Sequence, residues 1–142
     1  MWASTLALSG ILSPSKREDW EAHQIEHQLG AYYDCAHGMG LAAVSPAYYR
    51  LICPYGLPKF KRFAVNVWGV DPTGKSDQAV ALEGIDALAA FIRDSRMTPT
   101  LRALGITDDS KFQEIAESCN LRKGGYHTLT RQEIMQILRD SF

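Results

Sequence analysis

Between Lys75 and Ser95 the apolar residues fall every third or fourth place. Leu82, Ile85, Leu88, Ala89 and Ile92 form one stripe, and Glu83, Asp86, Arg93 and Asp94 lie off it. Residues three and four apart share a helix face, so a stripe of this period buries itself as an amphipathic helix and in no other way. No stretch of the chain shows the strict alternation of a half-buried strand. The expected fold class is therefore all-α, a helical bundle in one domain, which a chain of 142 residues can form.

The other expected helices follow from punctuation. Residues 2–12 make an apolar helix closed by Ser13 and Pro14. Ser15 and Glu18 have capping-box spacing, which predicts a second helix over about 17–33. Asp34 to Gly40 reads as a turn, and a third helix, bent or interrupted at Pro46, is expected over about 38–52. Pro54 to Pro58 is loop, and 58–68 is a helix rich in Phe, Val and Trp. Thr98-Pro99 ends the striped region. Thr107 or Asp108 stands where it can cap a helix reaching about 119. Thr130 and Glu133 repeat the capping-box spacing, opening a last helix that runs to the C-terminus.

Composition removes several functions. Fifteen basic residues stand against sixteen acidic ones, a net charge of -1. No positive surface is available for nucleic acid or an anionic membrane. Cys35, Cys53 and Cys119 are odd in number and far apart, with no Cys-x-x-Cys, and read as reduced thiols of a cytoplasmic protein. The opening MWASTLALSGILSPS is apolar but has no Lys or Arg ahead of the apolar run, unlike a signal peptide, and is too short to span a bilayer. A buried helix is expected there, entered without a cap at its first residue, as at a cut edge.

Three motifs could carry chemistry. His23 and His27 are four apart, so on a helix both imidazoles look the same way, and His37 follows ten residues later. Three imidazoles and a water make one kind of catalytic zinc site. Equally, each histidine could hydrogen-bond locally, or only some could be ligands with the remainder elsewhere, since Glu21, Glu26 and Asp34 are all local neighbours. The second motif, GVDPTGKS from Gly69 to Ser76, has the spacing of a phosphate-cradling loop, with Lys75 reaching phosphate and Ser76 holding Mg²⁺. That loop needs a parallel sheet around it. RFAVNVW could pass as a strand, but nothing else in the chain could join it, and Pro72 removes one of the N–H donors. A polar loop between two helices is the expectation. Third, Cys35 lies two residues from His37 and reads as a small buried side chain rather than a ligand or nucleophile, and His127, in KGGYHTL, as a loop residue.

The stretch WEAHQIEHQLGAYYDCAHG, Trp20 to Gly38, resembles the signature of the iron-containing (group III) alcohol dehydrogenases: His-x3-His, then His-Gly ten residues after the second histidine. The resemblance extends through MWASTLALSGIL, HGMGLAAVSPAYYR, RFAVNVWGVD and ALEGIDALAAFIR to the capped last helix, so it covers effectively the whole chain and is similar to the butanol-dehydrogenase-like branch. It implies that residues 1–142 are the C-terminal all-helical metal-binding domain of an NAD(P)-linked oxidoreductase, without the N-terminal NAD(P)-binding domain or the first part of the helical domain. By position, His23 and His37 resemble two ligands of Fe²⁺ or Zn²⁺, and His27 the non-ligand catalytic histidine beside nicotinamide and a small alcohol or aldehyde. The other two ligands, an Asp and a His in the family, have no counterpart here. The resemblance therefore implies half a metal site, NAD(P)H binding only in the full-length enzyme, and apolar faces that favour homo-oligomers. Two other readings stay open: a non-catalytic helical interaction module, and a small zinc protein using His23, His27 and His37 together.

Overall fold

The computed structural model describes residues 1–11, 13–14, 18–121 and 124–142. Among them there is no strand. The helices are α1 (Trp2–Leu8), α2 (Glu21–Tyr33), α3 (His37–Ile52), α4 (Leu57–Trp68), α5 (Asp77–Asp94), α6 (Phe112–Ser118) and α7 (Arg131–Asp140), with a 3₁₀ turn over Cys53–Gly56 that leads straight into α4. The all-α expectation holds.

α5 forms where the stripe placed it, with its boundaries set by chemistry. Ser76 is its N-cap, the side-chain oxygen accepting from the Ala79 N–H at 3.2 Å. α4 ends on Gly69 at φ 70, whose N–H reaches back to Val65 while that of Val70 reaches Ala64. The two helices pack against each other through small residues. A Cβ on Gly84 would lie 2.5 Å from Ala64 Cβ and 2.7 Å from its Cα, so only glycine permits this approach. Val80, Ala81, Gly84 and Ile85 are the buried positions on that side, and Leu82 and Leu88 of the stripe are only partly covered.

α7 carries the expected capping box in full: Thr130 accepts from the Glu133 N–H, and the Glu133 carboxylate accepts from the Thr130 N–H. Ile134, Ile137 and Leu138 are buried in a core shared with Ile25, Leu29 and Val44. Arg131 ties α7 to α6, its Nη1 donating to the carbonyls of Ala116 and Cys119 at 2.5 and 2.6 Å. At the C-terminus the Ser141 carbonyl accepts from the Leu101 N–H, and the Phe142 ring lies under the Arg102 guanidinium.

Five expectations change. Pro54 to Pro58, expected as loop, is the 3₁₀ turn and the first residues of α4, because Pro54 and Pro58 sit at the first positions of these helices, where no backbone donor is needed. The first helix is shorter than residues 2–12 and is not buried: every residue of α1 is exposed, Trp2 by 80% and Leu8 by 68%. Its apolar side chains satisfied the pattern for burial, but no described element is laid over them. α2 starts at Glu21 rather than near 17. Ser15 lies outside the described residues; the Glu18 carboxylate bonds Ser13 Oγ and the Trp20 indole N–H. Asp19 meets the first turn, accepting from the Glu21 N–H at 3.1 Å. Pro46 does not interrupt α3, because Ala43, Val44, Ala47 and Tyr48 are buried on both sides of it and their packing outweighs one lost backbone bond. Asp108 does not cap α6; it accepts from the Ser110 N–H in a local turn, and the helix begins at Phe112.

Candidate metal centre

The site forms where α2 turns into α3. α2 stops at Asp34, which takes the left-handed conformation at φ 51 and sends its N–H back to Gly30. Ala36 is extended, and α3 opens on His37 itself. Three residues between the helices, Asp34, Cys35 and Ala36, make the reversal tight enough to return His37 to the face bearing His23 and His27. The ring centroids are 5.4 Å apart for His23 and His37, 5.5 Å for His27 and His37, and 6.2 Å for His23 and His27. All three histidines singled out in the sequence are thus brought together.

Their surroundings differ. His23 is half-buried with the Trp20 ring edge-on at 5.1 Å. Burial, then the neighbouring His37 and His27, hold its pKa below the ordinary histidine value, with Glu26 and Asp19 opposing. A neutral imidazole keeps the lone pair a metal needs. His27 and His37 are exposed. A cleft of about 190 Å³ beside His23 is lined by Asp19, Ala22, Leu41, Ser45 and Tyr48. There the Tyr48 hydroxyl donates to both Asp19 oxygens at 2.7 Å. A second cleft runs from His23 and Trp20 to Ser4, Ala7 and Leu8 of α1.

The residue that sequence reasoning passed over is Glu26. Its side chain is 2% exposed, and its Oε2 accepts from His37 Nδ1. Glu26, His27 and His37 offer three ligand atoms within 4.8 Å of one another. A signal was present in Gly40, which stands on α3 where the Glu26 side chain needs room. The donor set of imidazoles with a carboxylate behind them suits Fe²⁺ or Zn²⁺.

Other candidates separate from this cluster. Burial, then the charge of Glu26, raises the Cys35 thiol above its ordinary value, so it stays protonated; all three cysteines are free. GVDPTGKS lies between α4 and α5, where Lys75 pairs with Glu83 at 2.6 Å and Ser76 caps the helix. His127 is more than a loop residue: its ring stacks on Tyr55 at 4.1 Å and its Nε2 meets Glu133 at 2.8 Å.

Along its whole length, residues 1–142, the chain matches the model of the Fe-containing alcohol dehydrogenase family, C-terminal part. The chain belongs to the Fe-containing alcohol dehydrogenase family. Within that family it is similar to NADH-dependent butanol dehydrogenase A of Clostridium acetobutylicum, at 33% identity over 147 residues, covering 100% of this chain and 37% of the relative. It is 35% identical over 143 residues to probable NADH-dependent butanol dehydrogenase 1 of Bacillus subtilis, covering 99% of this chain and 37% of the relative. The crystal structure of NADH-dependent butanol dehydrogenase A from Thermotoga maritima superposes with a TM-score of 0.86 at 30% identity, over 97% of this chain and 37% of that one. The chain therefore spans just over a third of the length of these family members, and its all-helical fold matches their C-terminal helical domain. No helix among the described residues is long and apolar enough to cross a membrane.

Proposed function

We propose that this chain is the metal-binding part of an NAD(P)-linked alcohol dehydrogenase or aldehyde reductase. His23 and His37 are two of the metal ligands, and His27 is the active-site histidine on the side of nicotinamide and substrate. The observation that carries this reading is the meeting of the three rings, at 5.4 to 6.2 Å between centroids, across the α2–α3 reversal. When bound, Fe²⁺ or Zn²⁺ supplies Lewis-acid chemistry, polarising an alcohol or aldehyde oxygen during hydride exchange with nicotinamide.

The chain's own residues do the rest. Half-buried His23, held neutral, offers a lone pair at the back of the site. Exposed His27 stands where it can take or return a proton at a ring nitrogen. An N-terminal domain of the kind that makes up the remaining length of the relatives supplies the NAD(P) cradle and further ligands, closes over the exposed histidines and excludes water. The substrate is a small alcohol or aldehyde, the assembly a homo-oligomer, and the compartment the cytoplasm, in keeping with three free thiols.

A second ligand set is favoured by one observation, the 4.8 Å grouping of Glu26, His27 and His37. Zn²⁺ and Fe²⁺ affinities of the chain and of His23→Ala, His27→Ala and His37→Ala decide between them. Binding that needs His23 and His37 and spares His27 supports the dehydrogenase reading. Binding that needs His27 but not His23 supports the second set, and tight binding that needs all three histidines makes this a self-contained zinc protein.

A further inference from the structure

Glu26 is buried, and a buried carboxylate is costly unless something answers it. Here the answer is His37 Nδ1, eleven residues on and across the helix reversal. The chain leaves space for this pairing at Gly40. A Cβ on Gly40 would come within 2.8 Å of Glu26 Cγ and 2.9 Å of Oε1, whereas one on Gly30 would make only an ordinary contact with Oε1, at 3.8 Å. Gly40 lies one turn into α3, so Glu26 rests against the start of a helix that has no side-chain cap, where the helix dipole favours negative charge.

An imidazole that donates Nδ1–H to a carboxylate is held in one tautomer and one orientation, and its only free lone pair is on Nε2. We infer that Glu26 is a positioning residue for the metal site: it locks His37 as the Nδ1–H tautomer, presents Nε2 as the ligand atom, and is not itself a ligand. Gly40 is part of the same device, because it keeps the carboxylate in reach. The inference rests on His37 being a metal ligand, as proposed above.

The test uses the full chain and four variants of the device, Glu26→Ala, Glu26→Gln, Gly40→Ala and the double variant Glu26→Ala/Gly40→Ala, with His23→Ala and His37→Ala as controls. Two quantities are measured: Zn²⁺ affinity by competition with a chromophoric chelator, and the His37 tautomer in the metal-free chain from its ring ¹⁵N shifts. Glu26→Ala is expected to weaken Zn²⁺ binding about 10–100-fold and to release His37 toward the Nε2–H form. Glu26→Gln, whose amide oxygen still accepts from Nδ1–H, restores the tautomer and most of the affinity. Gly40→Ala weakens binding too, and the double variant is no worse than Glu26→Ala alone, since both act through one contact.

Unchanged affinity and tautomer in Glu26→Ala overturn the inference even if His37→Ala abolishes binding. A Glu26→Gln loss as large as that of Glu26→Ala also overturns it, because the carboxylate would then be a ligand. If His37→Ala leaves Zn²⁺ affinity intact, the functional reading falls, and the inference falls with it whatever the tautomer. Should Glu26→Ala not fold, Glu26→Gln and Gly40→Ala decide on the same two readouts.

Discussion

Two helix crossings in this chain are each built around a glycine, and the glycines do different work. At α4–α5, Gly84 admits the backbone of Ala64, so the helices meet at close range over small apolar residues. At α2–α3, Gly40 admits no backbone but the carboxylate of Glu26. The first crossing contributes apolar packing. The second holds a buried acid against an exposed histidine, which costs stability and organises a polar face. A glycine in a helix interior costs roughly 1 kcal/mol relative to alanine, so each must be offset by what it lets in: dispersion contacts in one case, a placed charge in the other.

That contrast can be broken by measurement. Gly84→Ala carries the largest expected effect on folding, because its new methyl meets Cα and Cβ of Ala64 and cannot be relieved by rotating a side chain. A loss of about 1–3 kcal/mol in chemical denaturation is expected, with Zn²⁺ affinity of the folded fraction unchanged. Ser76→Ala comes next, losing the α5 cap and about 1 kcal/mol. Gly40→Ala should move folding stability by less than about 1 kcal/mol, since improved helix preference offsets the displaced Glu26 side chain. If Gly40→Ala proves as destabilising as Gly84→Ala, the two crossings are alike and the contrast fails. Lys75→Ala removes only the surface pair with Glu83 and should shift the midpoint by about 0.5 kcal/mol or less. It also leaves nucleotide binding as it was, a phosphate loop being the one reading in which this lysine matters.

What could be read from the sequence was what is encoded within one turn of a helix. The α5 stripe, the Thr130–Glu133 box and the four-residue spacing of His23 and His27 are local, and each reappears in the structure. The failures come from partners and packing that spacing alone does not name. α2 begins at Glu21, where Asp19 rather than an earlier residue meets the first turn. Pro46 had the chemistry of a helix breaker and was overruled by the burial of the residues around it. Trp2 and Leu8 had the apolarity of a core without anything laid over them. Glu26 was set aside as a local neighbour of the histidines, and it is the residue on which His37 turns. A pairing across a helix reversal depends on how sharply Asp34 turns the chain, and that is a fact of three dimensions.

The Arg131 contacts have a consequence for how the molecule opens. α6 is seven residues long, too short to hold together alone in water, yet its last carbonyls are gripped by a guanidinium anchored on α7. The two helices then unfold as one cooperative unit, and the slow-exchanging amides of α6 and α7 share a single opening free energy. α1, also seven residues long and without such a grip among the described residues, is expected to exchange its amides much faster. Deuterium uptake is therefore expected to separate two helices of equal length, α1 exchanging well ahead of α6.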